Sequence, residues 1–124
     1  MNVIEQAQQA YATNQIAIRT DRSIEAQLIS GITSRLQSAG KLGKAGFPQL
    51  IAALHENRRL WTTLAANVAE QDNALPKQLR AQLFYLSEFT EHHSQLVAKG
   101  EADVTALVDI NMAVMRGLNG QQAV

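Results

Sequence analysis

Among the side chains able to do chemistry, the most suggestive pair is Glu88 and His92, four residues apart and followed at once by His93. On a helix that spacing puts a carboxylate and an imidazole on one face, a start toward a metal site. His92 and His93 themselves point about 100° apart on a helix and cannot hold one ion together. A carboxylate-bridged di-iron bundle needs Glu-x-x-His on two helices, and that motif occurs nowhere in the chain. There is no cysteine, so thiolate chemistry and Cys-based zinc sites are excluded. No G-x-S-x-G or phosphate-binding loop is formed by the seven glycines. The reading is therefore no catalytic residue, no metal and no cofactor, with His93 at the edge of a core and His92 in solvent.

Arg58-Arg59 has the charge to meet phosphate. The balance of the whole chain argues otherwise: eleven basic and eleven acidic residues leave no net charge, and six aromatic residues offer little for base stacking. The signs are nonetheless segregated, with seven basic against three acidic residues in 35–80 and five acidic against one basic in 81–109. Arg58 falls on an apolar stripe between Leu54 and Trp61. It must pair with a carboxylate or run along Trp61 with its head in water, and an acid among residues 88–109 is the expected partner of Arg58 or Arg59.

The elements that would position these groups are helical. The chain is rich in Ala, Leu and Gln and has only 5% aromatic residues, which favours helix over strand. At 124 residues one domain spanning 1–124 is expected, burying about two thirds of the surface its unfolded chain exposes. Residues 2–14 carry a thin helical stripe, Val3, Ile4, Ala7, Ala10 and Tyr11, so 1–18 reads as a short helix or arm. Thr20-Asp21 can cap a helix in which Ile24, Leu28, Ile32 and Leu36 recur every four residues beside Ile29. Gly40, Gly43 and Gly46 then read as a flexible connection.

Residues 46–80 hold both prolines and the only tryptophan. Pro48 suits a first helical turn, and Phe47, Leu50, Ile51, Leu54, Trp61, Leu64, Ala65 and Val68 make an apolar face. After a polar turn, Pro76 opens a helix bearing Leu79, Leu83, Leu86, Phe89, His93, Leu96 and Val97 inward, which stops at Gly100. Asp103 can cap the last helix, striped by Val104, Leu107, Val108, Asn111, Val114, Met115 and Leu118, and residues 119–124 form a tail expected to fray. Asn111 on that stripe reads as a buried amide that fixes register, in preference to a donor kept for a partner. The fold class is all-α: an antiparallel bundle of about four main helices plus the N-terminal helix or arm. With no signal-peptide pattern and no apolar run of membrane-spanning length, the expected location is the cytoplasm.

The phrases ENRRLWTTLAANVAEQDNALPKQLRAQL and LVDINMAVMRGL resemble the FlaF family of alphaproteobacterial flagellar proteins, and YATNQ with RTDRSIEAQLISGITSRLQSA extends the likeness over nearly the whole chain. Its most specific part is Arg58-Arg59-Leu60-Trp61, followed by Leu75-Pro76 and then Leu79-Arg80, with Asn111 near the end. Those residues read as scaffold. The resemblance implies a regulator of flagellin synthesis and secretion that binds flagellin as a chaperone would, through flagellin's C-terminal helical region, and that is paired with or opposed to the regulator FlbT. The alternative it implies is a post-transcriptional regulator acting through FlbT or flagellin mRNA. Neither a membrane nor direct nucleic-acid contact is expected. Together with the thin N-terminal stripe, it places the partner surface at Val3, Ile4, Ala7, Tyr11, Ile16, Ile24, Leu28 and Ile32.

Overall fold

The computed structural model describes residues 26–70 and 75–122, with side chains described through residue 117. Four α-helices and one short 3-10 turn account for nearly all of them, and no described residue is in a strand. Helix α1 covers 26–41, the 3-10 turn Gly43–Gly46, α2 Phe47–Ala69, α3 Lys77–Ala98 and α4 Thr105–Gln122. The Thr20-Asp21 cap, the 1–18 arm and most of the Glu70–Asn73 turn lie outside the described residues.

Each boundary has a local cause. Pro48 occupies the first turn of α2, where its missing N–H has no intrahelical partner to lose. Pro76 stands at the N-cap of α3. At the end of α3 the Glu101 N–H reaches Leu96 O (2.9 Å) and the Gly100 N–H reaches Val97 O (3.0 Å), a Schellman closure. That closure requires the left-handed backbone of Gly100, φ 77°. Asp103 Oδ1 accepts the Thr105 N–H at 2.9 Å and so caps α4, a bond that also holds the Asp103 carboxyl below the usual carboxylate range.

The glycines after α1 do not make a loose connection. They form the 3-10 turn, and Gly46 is buried against Leu42 so closely that an added Cβ would lie 2.4 Å from Leu42 Cβ. Close approach, rather than flexibility, is what glycine supplies there.

The helices pack as antiparallel hairpins, with α2 in extensive contact along α3. The core gathers Ile32, Leu36, Ala53, Leu54, Val97, Leu107 and Val108, with Leu50, Leu60 and Val104 against it. Most of these lie toward the end where the α1–α2 and α3–α4 turns meet, with Ile32 and Leu60 near the middle of their helices. Toward the other end the packing thins, and no described residue from Ala69 to Phe89 is fully buried.

The buried stripe of α1 is Ile29, Ile32, Leu36 and Ala39, with Thr33 beside it, while Leu28 is exposed. This corrects the four-residue repeat read from the sequence. Positions four apart drift by about 40° per step around a helix of 3.6 residues per turn, so alternating steps of three and four keep one face on a straight neighbour. Phe47 and Ile51 are likewise exposed rather than inward, and Phe89 sits at the edge.

Arg58 forms a two-pronged ion pair with Glu91, joining α2 to α3 across the boundary between the basic and acidic segments. Arg35 and Glu56 join α1 to α2 the same way, with N–O distances of 3.2 and 2.6 Å. The Arg58 and Glu91 side chains are 44% and 43% exposed, so the pair is not the buried one the stripe position suggested. Arg58→Ala is therefore expected to cost only about 0.2–1 kcal/mol in urea unfolding at neutral pH. The hydrogen bond to Arg58 holds the Glu91 pKa below its ordinary value. A carboxylate so lowered stabilises fully above its unfolded pKa, about 4.3, and ceases to as pH falls through the folded value. The difference between wild type and Arg58→Ala should accordingly close on acidification and persist at pH 7.

Candidate partner-binding groove

Two of the family-like residues, Trp61 and Asn111, belong to a buried hydrogen-bond network. The Trp61 Nε1–H donates to Asn111 Oδ1 at 2.9 Å, and Asn111 Nδ2 donates to Thr33 Oγ1 at 3.1 Å and to Asn57 Oδ1 at 2.8 Å. The Thr33 hydroxyl passes its own proton to Ile29 O at 2.6 Å. Trp61, Asn111, Asn57 and Thr33 are all buried. Because indole N–H can only donate, it sets which end of the Asn111 amide faces it. One side chain thus ties α4 to both α1 and α2, and the amide is indeed held inside the bundle.

Above this network an open groove of about 480 Å³ runs along the seam of α2 and α3. Trp61 and Thr90 line its base, Ala65 and Phe84 its apolar half, and the Arg58–Glu91 pair its polar half. On the other flank of α3 a second depression of about 490 Å³ is lined by Ala81, Tyr85 and Leu86 among others. The N-terminal half of α3 is thus uncovered on two sides, with Phe84 45% and Tyr85 67% exposed and Phe89 at the margin. Phe84 and Tyr85, on the two flanks of one thinly packed helix end, are thus candidate contact residues for a partner.

Thr90 Oγ1 is buried without a hydrogen-bond partner, as is Asn57 Nδ2. A hydroxyl desolvated without compensation costs free energy. Thr90→Val keeps the shape and removes the hydroxyl, so it should raise stability by about 1 kcal/mol in urea unfolding.

His93 stacks on Phe89 with ring centroids 5.4 Å apart, and its Nε2 lies 3.1 Å from Asp103 O. A carbonyl only accepts, so Nε2 carries the proton. His92 is exposed at the groove beside Glu88. Among the described residues no three His, Cys, Asp or Glu side chains gather as a metal site would require. No helix among them is long and apolar enough to cross a membrane.

Of the residues expected at the partner surface, Val3, Ile4, Ala7, Tyr11, Ile16 and Ile24 lie outside the described residues. Leu28 is exposed, whereas Ile32 is committed to the core and has no surface to offer. Among the family-like residues, Trp61 and Asn111 are buried, Leu60, Leu75 and Leu79 half-buried, and Arg59 and Pro76 exposed. Arg80 reaches Glu70 O with Nη1 at 3.4 Å, which ties the start of α3 to the end of α2. Burial thus divides this set, and two of its members, Arg58 and Trp61, also line the groove. Sequence reasoning passed over Phe84 and Tyr85. The available signal was that both fall off the Leu79–Leu83–Leu86 stripe, where a bundle helix ordinarily carries polar residues.

A family model described as flagellar protein FlaF matches residues 7–118 of the chain. No curated protein and no solved structure matches it.

Proposed function

The chain belongs to the FlaF family of flagellar proteins, and from that membership we propose that it binds flagellin as a secretion chaperone and so promotes filament assembly. The observation that carries this reading is the uncovered aromatic flank of α3 beside the α2–α3 groove. Flagellin's terminal segments are amphipathic helices that lack their packing partners before export. A groove with an apolar half and a charged half suits one such helix, whose apolar anchors would settle on Ala65 and Phe84 while its polar edge meets Arg58 and Glu91. Covering the helix would suppress premature polymerisation. The exposed Leu28 remains available to the same partner.

Isothermal titration against intact flagellin and against flagellin lacking its C-terminal helical region tests the proposal. Binding of the first and loss of binding with the second is the expected result. If neither form binds, the reading fails. A gel shift with flagellin leader RNA, with and without FlbT, would then take its place, since regulation through the message predicts a shift without any flagellin contact.

A further inference from the structure

The α1–α2 corner, at the densely packed end of the bundle, leaves three large apolar side chains uncovered. Leu42 is 54% and Phe47 50% exposed, with Ile51 beside them. Phe47 and Ile51 stand one turn apart on α2, and Leu42 lies against Gly46, the residue before Phe47. Lys41 and Lys44 bracket Leu42, are exposed, and take part in neither ion pair found among the described residues. From residue 26 to residue 55 the chain carries Arg35, Lys41 and Lys44 and no carboxylate at all, and Arg35 is engaged by Glu56. Helix α2 starts at this corner with no side-chain cap and no acid in its first turn, so the positive end of its dipole adds to the lysines. The α3–α4 turn approaches from one side, where Val104 contacts Gly40, and brings Glu101 and Asp103; the Asp103 carboxylate is occupied in capping α4.

We propose that this corner is a second docking surface, and that its occupant is an amphipathic helix of another protein whose apolar face is edged by carboxylates. Leu42, Phe47 and Ile51 supply the apolar contact, and Lys41, Lys44 and the α2 N-terminus select the charge of the edge. The surface is separate from the α2–α3 groove. Ile51 and Arg58, the nearest residues of the two surfaces on α2, are about 10 Å apart along the helix at about 1.5 Å per residue. The inference stands whether or not the groove takes flagellin.

Two designed amphipathic helices test it, each with leucine along one face and either glutamate or lysine along both edges. Titrated into isotope-labelled full-length protein, the glutamate-edged helix is expected to bind with chemical-shift changes centred on residues 41–51. The lysine-edged helix should bind at least roughly tenfold more weakly. Lys41→Glu with Lys44→Glu should reverse that preference. Phe47→Ser should weaken binding of the glutamate-edged helix by roughly tenfold, and Phe84→Ser should leave it unchanged. The side chains replaced are exposed or half-exposed, and circular dichroism reports that each variant remains folded. Equal affinity for the two helices, or shifts centred on α3, overturns the proposal. Concentration-dependent self-association abolished by Phe47→Ser would assign the corner to a second copy of this chain. Binding to phosphatidylglycerol vesicles without binding of either helix would assign it to a lipid surface. Either outcome would overturn the proposal.

Discussion

Asn111→Leu is expected to lower the folding free energy by about 3 kcal/mol in urea unfolding. Leucine has the branched shape of asparagine but is bulkier and carries no polar atom, so it leaves the Trp61 indole N–H and the Asn57 Oδ1 without the partners they now have. Each buried group so orphaned costs about 1–3 kcal/mol, partly offset by the apolar surface gained. Asn57 has nothing in reserve, because its amide nitrogen is already buried without a partner. Asn111→Asp is the sharper probe. It retains an acceptor for Trp61 but cannot, when ionised, donate to Thr33 Oγ1 or Asn57 Oδ1. A stability loss at pH 7 at least as large as that of Asn111→Leu would show that the amide acts through its two donors as well as its acceptor. A loss below about 1 kcal/mol for both variants would mean that α4 is held by apolar packing alone.

Under the proposed function, replacing Phe84 and Tyr85 together by serine should weaken flagellin binding by roughly thirtyfold or more while leaving unfolding nearly unchanged. An aromatic anchor at the centre of an interface commonly carries about 2 kcal/mol or more on truncation, so even one of the two acting as an anchor gives about that factor at 25 °C. Both side chains are largely in water in the free protein, Tyr85 more than Phe84, so little native packing is lost. The readout separates binding from folding, because isothermal titration reports the affinity and denaturant midpoints report the fold. Unaltered affinity in a variant with an unaltered midpoint would move the flagellin site off α3, and Leu28 together with the segment preceding it would become the surface to probe. A double variant carrying Arg58→Ala and Glu91→Ala should have a much smaller effect on affinity, since charges at a wet rim contribute mainly to association rate and salt dependence.

Much of this architecture is determined by short-range chemistry that the sequence displays directly. Pro48 and Pro76 mark helix starts because proline fixes φ and needs no N–H partner in a first turn. Gly100 marks a stop because it alone takes the left-handed backbone cheaply, and Asp103 marks the next start because its carboxylate meets an unpaired N–H. Burial of Trp61, burial of Asn111 and a carboxylate partner for Arg58 also followed from residue type and stripe position. The likeness to the FlaF family was legible through the order and spacing of Arg58-Arg59-Leu60-Trp61, Leu75-Pro76 and Leu79-Arg80.

Tertiary structure decided what depends on where a neighbouring helix lies. Ile29 rather than Leu28 is buried because the line of contact with straight neighbours, and not the four-residue repeat, chooses the inward face of α1. That Thr33 and Asn57 would converge on Asn111, 78 and 54 residues away in sequence, is set by the packing of three helices together. The glycine-rich connection became a close-packed turn because Leu42 folds back over Gly46. The aromatics of α3 are exposed because the core formed by the described residues gathers around other parts of the helices, and an apolar residue is a core residue only where another element arrives to cover it.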